Sequence, residues 1–300
     1  MFRGSLVALV TPMTIDGAVA MDSLLQLVDW HIDQGTDGLV ILGTTGESVT
    51  LTQDERQHII RAVIAQVEKQ AKRKIPVIVG TGSNATRTSI QWTREAMELG
   101  ADACLLVTPY YNKPAQEGLY LHYKAVAEAV AIPQILYNVP GRTACDLSSE
   151  TVVALAALPN IIGIKMPGSD VHRIQEIRDH LKGEFKFYSG DDATAKDFIL
   201  AGGDGVISVT ANVAPHLMHE LCEAALQGDR EKSSLIDKRL MPLYTALFLE
   251  SNPIPVKWAL QELGHIPAGI RLPLTPLSTV HHATLRQAMQ SIIPPKGEVQ

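Results

Sequence analysis

Short apolar runs alternate along the chain with longer stretches whose apolar residues recur every three to four positions. The runs at 5–10, 38–42, 76–79, 103–107, 134–137, 161–165, 185–188 and 205–209 are bounded by turn residues. Such runs read as strands buried on both faces, as in a parallel sheet. The segments between them, 22–34, 53–70, 86–99, 117–130, 150–157, 171–181 and 193–201, carry helical spacing. Thr52 and Glu55 form a capping-box pattern that opens the second helix. Gly35, Gly100, Gly202 and Gly203 stand where helices should stop. This α/β alternation predicts a closed parallel (β/α)8 TIM barrel. An open doubly wound sheet competes, but eight evenly spaced units ending near residue 225 fit the barrel.

After Pro215 helices follow without strands, at 216–226, 231–249, 255–263 and 280–292, with a proline-rich joint at 266–276. The first can serve as the eighth barrel helix. The predicted division is a barrel over 1–227 and a C-terminal helical appendage over 228–300.

Composition narrows the classes of function. The 300 residues are 46% hydrophobic and 19% charged, which suits a globular protein with a sizeable core. A net charge of −6 offers no basic surface, so no nucleic-acid partner is expected. Cys104, Cys145 and Cys222 are too few and scattered for a disulfide framework or a zinc site, which points to a reducing compartment. No apolar run approaches the length of a membrane span. The apolar N-terminal stretch is too short for a secretory signal and is broken by Thr11, Pro12 and Asp16. A cytoplasmic location is expected.

In barrels of this kind the chemistry gathers at the C-terminal ends of the strands. There the chain is rich in hydroxyls and glycines and carries one lysine, Lys165. An ammonium at the edge of a buried strand is partly desolvated, which favours the neutral amine that Schiff-base chemistry requires. Read locally, Lys165 is more simply a strand cap that reaches into water, and its place among the strand ends is what turns the reading towards a reactive amine. Lys186 alternates with two phenylalanines and should face the helices or solvent, and Lys257 lies beyond the barrel in an apolar context. Tyr110, Tyr111 and Tyr137 fall at strand ends, where a phenol paired with a hydroxyl can relay a proton. Arg142 can hold a carboxylate bidentately.

Other chemistries find little support. Zinc-peptidase, P-loop and serine-hydrolase motifs are missing. Gly80-Thr81-Gly82-Ser83-Asn84-Ala85 imitates a dinucleotide fingerprint but sits in the third unit, not the first. Asp191 and Asp192 are expected to cap the helix that follows. The ten histidines show no ligand spacing at a strand end, so neither metal nor cofactor is expected.

Gly43-Thr44-Thr45-Gly46-Glu47, Thr108-Pro109-Tyr110-Tyr111, the segment from Tyr137 to Arg142, and the run ending at Lys165 together resemble a known family. It is the pyruvate-dependent class I aldolases of the dihydrodipicolinate synthase and N-acetylneuraminate lyase superfamily. The resemblance runs from Gly4 to Pro273, and Asn252-Pro253-Ile254-Pro255-Val256-Lys257-Trp258 strengthens it. The double threonine, the tyrosine pair and the Arg142 context match the dihydrodipicolinate synthase branch. The resemblance implies a lyase that condenses pyruvate with L-aspartate 4-semialdehyde through an imine at Lys165 and then cyclises the product, in the diaminopimelate route to L-lysine. It implies a proton relay through Tyr137, Thr44 and Tyr111. It also implies a pyruvate-carboxylate contact at Thr45, a semialdehyde-carboxylate site at Arg142, and further substrate-site groups at Gly190 and the Ile207 carbonyl. No cofactor is implied. Tyr111 would enter a neighbouring subunit's site, within a homotetramer built as a dimer of dimers. A sister lyase acting on N-acetylneuraminate or a 2-keto-3-deoxy sugar acid would share Lys165 and Tyr137, but Thr45, Tyr111 and Arg142 argue against it. A catalytically silent keto-acid-binding barrel is the alternative of another class.

Two departures from the family pattern stand out. Met166-Pro167 follows the lysine where an acidic residue and alanine are usual, so the loop there is expected to be rearranged. Ser48, Asn84 and Tyr110 match the feedback site for lysine, but Gln53, Arg56 and Thr88 replace its two histidines and glutamate. Weak or absent inhibition by L-lysine is expected.

Overall fold

A computed structural model describes residues 2–69, 74–169, 171–290 and 292. The predicted helix end at Gln70, and residues 291 and 293–300 of the predicted appendage, lie outside the described residues. The strands are β1 (Gly4–Ala8), β2 (Gly38–Ile41), β3 (Val77–Gly80), β4 (Ala103–Val107), β5 (Gln134–Tyr137), β6 (Ile161–Met166), β7 (Lys186–Ser189) and β8 (Gly205–Ser208). They form one closed parallel barrel in sequence order, and the pairing of β1 with β8, from Gly4 opposite Gly205 to Val7 opposite Ser208, rules out the open sheet.

The helices around it are α1 (Met21–Asp33), α2 (Gln53–Lys69), α3 (Thr86–Glu98), α4 (Gln116–Ala129), α5 (Pro140–Thr143), α6 (Ser149–Leu155), α7 (Val171–Arg178), α8 (Ala195–Leu200) and α9 (Pro215–Leu226). Three more follow without an intervening strand: α10 (Arg230–Ala246), α11 (Ile254–Glu262) and α12 (His282–Gln290). The capping box forms in both directions. Glu55 N donates to Thr52 Oγ1 at 3.3 Å, and Thr52 N donates to Glu55 Oε2 at 2.8 Å. Gly35, Gly100 and Gly202 end their helices at φ of +88°, +93° and +103°, a region that favours glycine.

Side chains alternate across each strand, which sorts the core into two layers. Leu6, Val40, Ile78, Leu105, Ile135 and Ile207 fill the barrel interior with Tyr188. Val7, Leu39, Val79, Leu106, Leu136, Ile164 and Val206 belong to the larger layer shared with the helices. The floor is closed by Phe2, whose carbonyl accepts from the Tyr188 hydroxyl at 2.9 Å.

The alternation also aims the lysine. Ile164 and Met166 lie in the outer layer, so Lys165 between them points inward. Tyr137 does the same from β5 and sits opposite Lys165 in the register. Strand β6 runs one residue beyond its predicted end, because Met166 is 1% exposed in that outer layer and its carbonyl accepts from Gly190 N at 2.8 Å. The unusual methionine is thus absorbed by helix–strand packing, and Pro167 meets the mouth.

Candidate active site

The inward side chains at the strand ends enclose a cavity of about 100 Å³. Its walls include Thr44, Thr45, Tyr137, Arg142, Lys165, Gly190 and Ile207. Thr44, Tyr137 and Arg142 also border an adjoining cavity of about 360 Å³, which reaches Ser48 and Tyr110. Seven of the eight residues singled out in the sequence therefore share one chamber. Tyr111 does not. It stands at φ +76°, is 87% exposed, and borders neither cavity of its own chain.

Lys165 is 6% exposed, with Nζ 4.3 Å from the centroid of the Tyr137 ring. An ammonium over a phenol face gains an electrostatic contact without a neutralising carboxylate. Gly190 makes room for this side chain, since a Cβ there would lie 3.2 Å from Lys165 Cε. The Lys165 carbonyl accepts from Asn138 N at 2.9 Å, which couples the end of β5 to the lysine.

Arg142 is carried by α5, a four-residue turn of helix with Pro140 at its start, which the sequence reading missed. The turn is pinned by Thr143, whose hydroxyl receives Thr108 Oγ1 at 3.2 Å and donates to Cys145 O at 3.0 Å. Arg142 Nη2 donates to Asn252 O at 3.2 Å, leaving the guanidinium on the cavity wall.

Asn252 is a further wall residue without a role in the sequence reading. It is 5% exposed, and its Nδ2 donates to Thr45 Oγ1 at 3.0 Å. The motif containing it was visible in the sequence, but its distance from the strands hid its place in the site. Several strand-end hydroxyls turn inward on the scaffold instead. Thr11 Oγ1 donates to Gly46 O at 2.7 Å, and Thr93 Oγ1 donates to Thr81 Oγ1 at 2.9 Å.

Asp191 and Asp192 depart from the expected helix cap. Asp191 Oδ2 accepts from Gly168 N at 3.0 Å, and buried Asp192 Oδ2 accepts from Val209 N and Thr210 N at 3.1 and 2.8 Å. The loops after β6 and β8 offered unpaired amides nearby, and these took the carboxylates. Burial pushes the Asp192 carboxyl above its ordinary range, against the hydrogen bonds it accepts.

The glycines of the apparent dinucleotide fingerprint have a packing explanation. A Cβ at Gly80 would lie 2.2 Å from Leu42 O, and one at Gly82 would lie 2.3 Å from Val107 N. Among the described residues no group of three or more His, Cys, Asp or Glu is placed to hold a metal ion. No helix among them is long and apolar enough to cross a membrane.

Comparison with known proteins gives this geometry a family. The model of the dihydrodipicolinate synthetase family matches residues 1–292. The 4-hydroxy-tetrahydrodipicolinate synthase of Thioalkalivibrio sulfidiphilus is 59% identical over 289 residues, covering 96% of this chain and 97% of the relative. The enzyme of the same name from Pseudomonas aeruginosa is 58% identical over 290 residues, covering 97% and 98%. The crystal structure of the chloride-inhibited dihydrodipicolinate synthase from Acinetobacter baumannii, complexed with pyruvate, superposes with a TM-score of 0.94 at 53% identity. It covers 98% of this chain and 100% of that one. The chain belongs to the dihydrodipicolinate synthetase family and is a lyase of the class I aldolase superfamily.

Proposed function

We propose that the chain condenses pyruvate with L-aspartate 4-semialdehyde and cyclises the adduct to 4-hydroxy-tetrahydrodipicolinate, in the diaminopimelate route to L-lysine. The observation that carries this reading is a buried lysine facing a tyrosine inside a chamber walled by two threonines and an arginine. The names of the relatives support the substrates.

In this reaction Lys165 Nζ attacks the pyruvate ketone, water leaves, and an imine forms. The protonated imine nitrogen accepts the electron pair released when a methyl proton departs, giving an enamine. The enamine carbon bonds to the aldehyde carbon, whose oxygen takes up a proton. The semialdehyde amine then attacks the imine carbon and displaces Lys165, closing the ring. Tyr137, Thr44 and Tyr111 move the protons, Thr45 holds the pyruvate carboxylate, and Arg142 takes the semialdehyde carboxylate. Gly190 and the Ile207 carbonyl complete the wall around the reacting amine.

Tyr111 joins the relay only if another copy of the chain supplies it, because it is exposed and lines neither cavity of its own chain. This supports an oligomer in which a second copy contributes Tyr111, and we propose a homotetramer built as a dimer of dimers, in the cytoplasm. Borohydride reduction with pyruvate, followed by peptide mapping, should place a single adduct on Lys165. An adduct elsewhere, or none, would falsify the reading.

Feedback by L-lysine should be weak or absent. Arg56 is 3% exposed, stacks 4.2 Å over Trp92, and donates from Nη2 to Gly80 O at 2.8 Å. Burial lowers its pKa to about 10, which leaves it cationic at neutral pH. A fixed cation within electrostatic reach of Tyr110 opposes the ammonium groups of lysine.

A further inference from the structure

Lys257 is a second deeply buried lysine, 4% exposed, and the proposed reaction makes no use of it. Its Nζ donates to Oε1 of Glu47, itself 3% exposed and 210 positions away. The other Glu47 oxygen accepts from Arg271 N at 3.2 Å. The Arg271 guanidinium donates to Thr50 O at 2.7 Å, to Gly17 O at 2.8 Å, and to both carboxylate oxygens of Glu55 on α2. Together with the bond from Asn252 to Thr45, the C-terminal segment fastens one loop several times over. That loop joins β2 to α2 and carries Thr44 and Thr45.

The same loop holds two non-glycine residues in the left-handed region, Leu42 at φ +56° and Glu47 at φ +53°. Such conformations are unfavourable and persist only where the surroundings hold them. A buried ion pair is weak support for stability compared with an apolar pair of the same shape, so its use is better sought in geometry.

We propose that Lys257 is a positioning residue whose ion pair with Glu47 locks loop 42–47, so that Thr44 and Thr45 meet the pyruvate-derived intermediate on Lys165. This rests on the roles given above to the two threonines. It makes α11, like Asn252 just before it, a working part of a site whose reacting groups belong to the barrel.

The full-length enzyme is compared with Lys257→Met, Glu47→Gln and the double variant Glu47→Gln/Lys257→Met. Lys257→Met leaves a buried, unpaired carboxylate, whereas the double variant carries neither charge and separates loss of fold from displacement of the loop. In the double variant Tm should stay near the parent's, while amide exchange over residues 43–50 accelerates at least about tenfold and that of β5 does not change. Its kcat should fall at least about tenfold and its pyruvate KM rise at least about threefold, with the semialdehyde KM within about twofold. Glu47→Gln alone keeps only one acceptor oxygen for two donors and leaves Lys257 buried without its countercharge. It should therefore accelerate exchange over 43–50 and lower kcat in the same direction as the double variant, and parent-like values would count against the proposal. Parent-like kcat and pyruvate KM in the double variant overturn the proposal, as does exchange that accelerates uniformly around the barrel. Borohydride trapping runs alongside. A parent that captures no pyruvate on Lys165 fails the reading of the reaction, while exchange over 43–50 still decides whether Lys257 holds the loop.

Discussion

Two lysines are buried to almost the same degree in different regions of this molecule, and their surroundings give them opposite characters. Lys165, at the barrel mouth, is 6% exposed, borders an open chamber and faces a phenol ring. Lys257, on α11, is 4% exposed and is tied to Glu47. Burial pulls the Lys257 ammonium below its usual range, and the Glu47 carboxylate opposes that pull. Burial alone therefore does not mark a reactive amine. What distinguishes the two is whether the nitrogen has space for a carbonyl or a fixed carboxylate to satisfy it.

The sharpest way to break this contrast is to change both lysines to methionine and compare the losses. Lys165→Met should lower turnover by at least about 10⁴-fold and abolish the pyruvate adduct, while stability to urea changes by about 1 kcal/mol or less. Lys257→Met should show the reverse emphasis, losing about 3–5 kcal/mol in urea titrations because Glu47 is left charged and buried. If both variants lose stability equally, the distinction fails.

A smaller effect concerns the clamp beside Lys257. The Arg271 guanidinium holds the Glu55 carboxyl at about 2, below its ordinary 4.5. Since the folded value is the lower one, the stabilisation is present above pH 4.5 and disappears as pH falls through about 2. Arg271→Gln should flatten the fall of stability over that window by about 1 kcal/mol, the pair being partly screened by solvent. Urea midpoints measured at half-unit intervals of pH test this. The smallest expected effect is that of L-lysine, for which Arg56 predicts little response. Half-inhibition below about 1 mM would mean that a buried guanidinium does not exclude the ligand's ammonium groups.

Both lysines were visible in the sequence, but only one could be placed from it. Lys165 closes a fully apolar run, and two-residue periodicity fixes which way such a strand end faces. The barrel was legible for the same reason, as were the capping box at Thr52 and Glu55 and the glycines that end helices. The function of Lys257 depends on a contact across 210 positions, which no local pattern encodes. Helix α5 was hidden because four residues, Pro-Gly-Arg-Thr, are too few to show a period. Asp191 and Asp192 were misjudged because the amides that they serve lie on other loops. Met166 looked disruptive beside the lysine, yet it faces the helices, where a methionine fits.

The closed floor of the barrel carries a last consequence. With Tyr188 bonded to Phe2 beneath a filled interior, the chamber is shut from below and opens towards the mouth of the barrel. On the proposed reaction pyruvate enters first, becomes attached, and the water released must leave by the way pyruvate came. The semialdehyde then meets the enamine already attached to Lys165. Attachment of pyruvate before the semialdehyde reacts thus orders the two substrates, and initial-rate plots at several pyruvate concentrations should run parallel, as substituted-enzyme kinetics require.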